Sequence, residues 1–175
     1  MRRLTLAVAL AALVLMAAGC KKKRGAAARG IQSTVEMNDP TAAVQLKSGF
    51  YGIEGGSWRW TDRNFSVQLM APANAQTKGA RLHLNFAIPD AVISKVGPME
   101  LSATVHAPGA IGMQLSPEHY TKGGTYEYTR EVDAGVFQHK GAVVVDFTCD
   151  KSIPPTGEDR RELALIAVSA GLEGR

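Results

Sequence analysis

Apolar and polar residues alternate with period two along most of residues 65–148, and this pattern restricts the fold more than any other feature. Phe65, Val67 and Leu69 alternate with Ser66 and Gln68. Leu82, Leu84, Phe86 and Ile88 alternate with Arg81, His83, Asn85 and Ala87. Leu101, Ala103 and Val105 alternate with Ser102, Thr104 and His106. Tyr126, Tyr128 and Val132 share one parity with Arg130, opposed by Glu127, Thr129, Glu131 and Asp133. Val143, Val145 and Phe147 alternate with Val144, Asp146 and Thr148. Successive side chains of a strand point to opposite faces. One apolar face per run therefore predicts antiparallel sheet packed on one side.

Turn signals separate these runs: Ala71-Pro72-Ala73-Asn74, Thr77-Lys78-Gly79, Pro89-Asp90, Gly97-Pro98, Pro108-Gly109, Lys122-Gly123-Gly124 and Pro154-Pro155-Thr156-Gly157. No amphipathic helix longer than the N-terminal apolar stretch is visible. The run Leu163 to Leu172 is apolar on both faces and fits a fully buried strand or a short helix, with strand preferred. Roughly eight or nine short strands at this spacing predict an all-β, antiparallel β-sandwich of jelly-roll-like type.

The N-terminus has a different character. Arg2 and Arg3 precede an apolar stretch of about fifteen residues, Leu4 to Ala18, and then Gly19-Cys20. A spanning helix needs ~20 apolar residues, so this layout reads as a cleaved signal helix with a small-residue site. Met16-Ala17-Ala18-Gly19-Cys20 resembles the lipobox of bacterial lipoproteins. That resemblance implies cleavage before Cys20 and acylation of its thiol. Ala17 stands where the family usually has Leu. Two or more acyl chains anchor firmly where one does not, at ~0.8 kcal/mol per buried CH₂. Lys21, Lys22, Lys23 and Arg24 follow, suited to an anionic lipid surface or to a solvated spacer. Lys21 is not the Asp that often retains lipoproteins at an inner membrane. Residues 21–47 lack sustained alternation and read as a flexible tether.

The chain carries a formal charge of +4, but the positive charge sits at the end. Without Arg2, Arg3 and the four basic residues after Cys20, 14 basic residues face 16 acidic ones. A nucleic-acid binder carries its positive charge on the folded domain, so that class is rejected. If Cys20 is acylated, Cys149 has no partner for a disulfide; it reads as a small, half-buried strand residue, with a reactive thiol as the lesser alternative. His83, His106, His119 and His139 lack the short spacings of a zinc site. His83 and His106 fall on polar strand faces, where a solvated role is the default, and no metal or cofactor is expected. No Gly-x-Ser-x-Gly frame surrounds Ser116, Ser152 or Ser169, and Glu158 and Asp159 sit together in a loop.

Gly49 to Leu69 is the most distinctive stretch. Trp58 and Trp60 share one strand face, and Arg59 and Thr61 point the other way. A second stretch, Asp159 to Leu165, follows the Pro-rich loop and can supply an Arg–carboxylate fork. Together they resemble a small β-sandwich domain found beside bacterial glycosyltransferases and other envelope polysaccharide proteins. Gly49, Phe50 and Glu54 match its turn; Arg59, Trp60 and Thr61 match its Arg-Trp-Thr triplet; Asp159, Arg161 and Leu163 match its C-terminal motif. Ala164 replaces the usual Gly. The resemblance spans roughly residues 48–172 and implies a carbohydrate-associated domain without catalytic residues.

The expected organisation is a signal peptide over 1–19, a lipidated Cys20 with tether over 20–47, and a β-sandwich over 48–175. The expected role is a non-enzymatic envelope lipoprotein on the cell or outer membrane, its domain facing the periplasm or exterior. Its partners are the lipid bilayer and a glycan or an envelope protein. Glu54, Trp58, Arg59, Trp60, Asp159 and Arg161 are the ligand-binding candidates. The plainer reading of these residues is favoured over ligand binding: Trp60 as a core side chain, and Glu54, Arg59, Asp159 and Arg161 as a structural ion-pair network, as in an assembly lipoprotein without ligand. An envelope hydrolase is the third reading, and it requires a cleft with convergent polar groups.

Overall fold

The computed structural model describes residues 30–139 and 141–175. The leader, Cys20 and the basic cluster lie outside the described residues. The rest forms nine strands: β1 Thr34–Glu36, β2 Leu46–Glu54, β3 Trp58–Met70, β4 Ala80–Ile88, β5 Met99–His106, β6 Met113–Tyr120, β7 Gly124–Val132, β8 Ala142–Cys149 and β9 Ile166–Gly174. Two short helices intervene, α1 Ala75–Lys78 and α2 Asp90–Val96. Every pairing between strands is antiparallel. The all-β, antiparallel class is therefore what the chain adopts.

Its layers belong to one sheet, in the order β6-β5-β8-β3-β9-β4-β7, with β1 added on β9 and β2 on β3. The sheet curls until its ends approach. Tyr128 Oη of β7 donates to Ser116 O of β6 at 2.9 Å, and Arg130 Nε reaches the same carbonyl at 2.8 Å. Rings line the enclosed space: Phe65 of β3 stacks on its cross-strand neighbour Phe147 of β8 at 5.0 Å, and Tyr128 of β7 meets Phe147 edge-on at 6.4 Å. β7 and β8 are far apart in strand order, so this last contact crosses the interior.

The alternating residues fill that interior. Phe65, Val67, Leu69, Leu82, Leu84, Phe86, Leu101, Val105, Val143, Val145 and Phe147 are all buried. A fully buried side chain of this size contributes ~1.5–3 kcal/mol. Cys149 is buried with them, and burial pushes its thiol pKa up to about 12. The run after Leu163 is a strand, shifted to begin at Ile166.

One expectation is corrected. Residues 34–47 are part of the domain rather than tether. Thr34 to Glu36 pair with Ser169 to Gly171, Val35 and Met37 are buried, and a 3-10 turn runs over Pro40–Val44. Gln45 ties the segment down, donating through Nε2 to Gln32 O and Gln68 O and accepting from Gln32 N. Three paired residues are too few to show a period, so the strand is invisible to alternation.

Candidate functional site

The β2–β3 hairpin places the distinctive residues. Gly55 and Gly56 both have positive φ, 55° and 67°, and turn the chain. Glu54 then stands opposite Trp58, and Ile53 opposite Arg59. Paired residues share a face, so Glu54 and the two tryptophans lie outside while Arg59 and Thr61 lie inside. Trp58 folds back on the turn: a Cβ on Gly55 would sit 3.1 Å from its indole Nε1. Trp58 and Trp60 meet edge to face, centroids 6.3 Å apart with an interplanar angle of 86°. Both rings are half-buried, and Trp60 also packs against the core.

The 153–163 segment completes the face. An Ile153–Leu163 bridge pins its two ends. Arg161 forks onto Asp159, with Nε–Oδ1 at 2.9 Å and Nη2–Oδ2 at 2.8 Å, and its Nη1 donates to Glu54. Asp159 Oδ1 also accepts from the Arg161 backbone N–H at 3.0 Å. These hydrogen bonds from Arg161 hold the Asp159 carboxyl down at about 2, and raise the guanidinium pKa above its ordinary value. A cleft of about 240 Å³ opens beside the fork, lined in part by Lys95, Thr156, Glu158 and Arg161.

Tyr51 joins the two halves and was not singled out from sequence. Its ring lies 5.3 Å beneath the Arg161 guanidinium carbon. Its hydroxyl donates to Asp62 and accepts from Glu162 N at 3.1 Å. Burial, then the Asp62 bond, push its pKa up to about 12. A bulge between Phe50 and Ile53 aims this ring outward, and alternation cannot register it.

Five of the six candidates thus share one face: Glu54, Asp159 and Arg161 as a charge triad, with Trp58 and Trp60 on the same hairpin. Arg59 is separated from them. It is buried on the opposite side of β3, where Nε donates to Met37 O at 3.0 Å and Nη1 to Tyr51 O at 2.9 Å.

Two histidines differ from expectation. The His83 side chain is only 12% exposed, because it faces side-chain-free Gly171 and β1 covers it. His106 Nε2 meets Asp146 Oδ2 at 2.9 Å, while Asp146 Oδ1 accepts from Ser66. The carboxylate stands between serine and histidine here, so the imidazole has no access to the hydroxyl as a base. Among the described residues, no three His, Cys, Asp or Glu side chains gather as a metal site. No helix of the described residues is long and apolar enough to cross a membrane. No family model matches the chain, and no curated protein matches it.

Proposed function

We propose that this chain is an envelope lipoprotein, acylated at Cys20, whose β domain binds glycan through the outer face of the β2–β3 hairpin. The anchor rests on the lipobox-like Met16 to Cys20, and its setting is the cell or outer membrane with the domain on the periplasmic or exterior side. The binding role rests on one observation: two half-buried indoles meet at a right angle beside a fixed Glu54–Arg161–Asp159 triad. Flat aromatic faces stack on pyranose rings, and charged groups bond the hydroxyls.

A second reading, an assembly lipoprotein without ligand, draws support from Arg161. Its Nε, Nη1 and Nη2 are all committed to protein carboxylates. One experiment separates the two. The full chain, purified in neutral detergent, is applied to arrays of cell-wall, capsular and exopolysaccharide glycans beside Trp58→Ala and Trp60→Ala. Saturable binding lost in Trp58→Ala supports the glycan reading. Absence of saturable binding rejects it and leaves the assembly reading. Mass spectrometry of the mature N-terminus tests the anchor separately; an unmodified Cys20 or an intact Met1 overturns it.

A further inference from the structure

Arg59 is the one candidate that the outer face does not use. It is 8% exposed, yet no carboxylate of the described residues lies within 4 Å of its guanidinium. A buried charge is costly unless it is paired. Burial alone lowers the Arg59 pKa from its ordinary value, with no anion offsetting it. A guanidinium has five N–H donors, and two are taken by the Met37 and Tyr51 carbonyls. The unbonded Nη2 is not sealed in the interior: among the described residues, the buried side-chain polar atoms without a partner are His83 Nε2 and Tyr120 Oη.

Arg59 instead lines a cleft of about 210 Å³, shared with Leu46, Lys47, Ser48, Gly49 and Phe50. That equals several water molecules at ~30 Å³ each. The lining holds two cations and no carboxylate. The cleft is built by irregularity in β2, whose register on β3 shifts between Leu46 and Ser48, Ser48 and Phe50, and Phe50 and Ile53. Bulges leave residues unpaired in the ladder and re-aim side chains. Gly49, at φ +74°, lets the bulged strand press against Asn64 and Phe65, where any Cβ would collide with the Asn64 carbonyl.

We infer that this cleft is an oxyanion site, in which the Arg59 guanidinium and the Lys47 ammonium hold a carboxylate or phosphate group. Guanidinium matches either oxyanion geometrically, and Lys47 adds a point charge at the rim. The site lies on the other side of β3 from Trp58 and Trp60, so it stands or falls independently of the glycan face.

The test follows the Arg59 Nε–Hε NMR signal of the full chain in neutral detergent. The probes are inorganic phosphate, glucuronate as a free carboxylate, and mixed micelles containing an anionic phospholipid. The expected result is a saturable shift with at least one probe. Lys47→Glu, an exposed change that leaves the fold intact, weakens it about tenfold or more by placing a like charge against the ligand. Lys95→Glu, beside the other cleft, leaves it unchanged. A response to phosphate or glucuronate alone identifies a soluble or polymer-borne anion, and a response to the micelles alone identifies a lipid headgroup. No saturable shift with any probe, or one that Lys47→Glu does not weaken, overturns the site.

Discussion

Arg161 and Asp159, two residues apart, face each other as a parallel fork, Nε to Oδ1 at 2.9 Å and Nη2 to Oδ2 at 2.8 Å. The fork closes on its own loop, and the Nη1 bond to Glu54 ties that loop to the hairpin. The link responds to pH in a defined direction. Asp159 sits at about 2 in the folded chain and near the ordinary carboxylate range when unfolded. Because the folded value is the lower one, its stabilisation is complete above about pH 4 and is lost as pH falls through 2. Asp159→Asn removes that component. The melting temperatures of wild type and variant differ at pH 6 and converge toward pH 2.

Gly49→Ala forces a side chain into the positive-φ region and against the Asn64 carbonyl. Strain and collision together cost about 2–4 kcal/mol. Urea denaturation of the full chain in detergent measures it; an unchanged midpoint contradicts the close approach of β2 to β3.

Trp58 and Trp60 separate stability from binding. Trp60 packs against the core, so Trp60→Ala costs about 1–3 kcal/mol, part of the value for a fully buried ring. Trp58 lies over the Gly55 turn, and Trp58→Ala costs less than 1 kcal/mol while removing half of the aromatic surface. Denaturation midpoints order the two variants.

Cys149 is 1% exposed, and its thiol is pushed up to about 12. The thiolate is the reactive form. Iodoacetamide at pH 8 therefore leaves the Cys149 peptide unmodified in the native protein and alkylates it in denaturant, as read by mass spectrometry.

Arg130 clasps the β6–β7 seam, donating to Ser116 O at 2.8 Å and Pro117 O at 3.1 Å while lying 4.3 Å over the Tyr128 ring. Arg130→Met removes both bonds, leaving Ser116 O to Tyr128 Oη and Pro117 O to water, and costs about 0.5–1.5 kcal/mol. Hydrogen exchange accelerates first in residues 113–120; uniform acceleration across the sheet contradicts a local clasp.

Alternation made the strand cores legible because Phe65 to Leu69, Leu82 to Ile88, Leu101 to Val105 and Val143 to Phe147 each keep one face inside. It failed where the ladder is irregular. β6 contains Pro117 and a register shift against β5 between Leu101 and Ala103, so its buried Leu115 and Tyr120 fall on opposite parities. α2 is seven residues between Pro89 and Gly97, and those punctuators read as turns. At the site, short motifs found Glu54, Asp159 and Arg161 because they lie in distinctive local strings. The Tyr51–Asp62 bond and the His106–Asp146 pair join residues 11 and 40 positions apart and leave no local trace.

β9 lies between β3 and β4 and also receives β1, so three strands meet through one. Among the described residues, eight strands precede this keystone in sequence. Without residues 166–174, β4 and β7 have no ladder to β3, β8 and β5, and side chains of the β6–β7 seam are left to join the two groups. The two groups of strands therefore become one continuous ladder only when this ribbon is in place, which makes sheet closure a single event contingent on one segment.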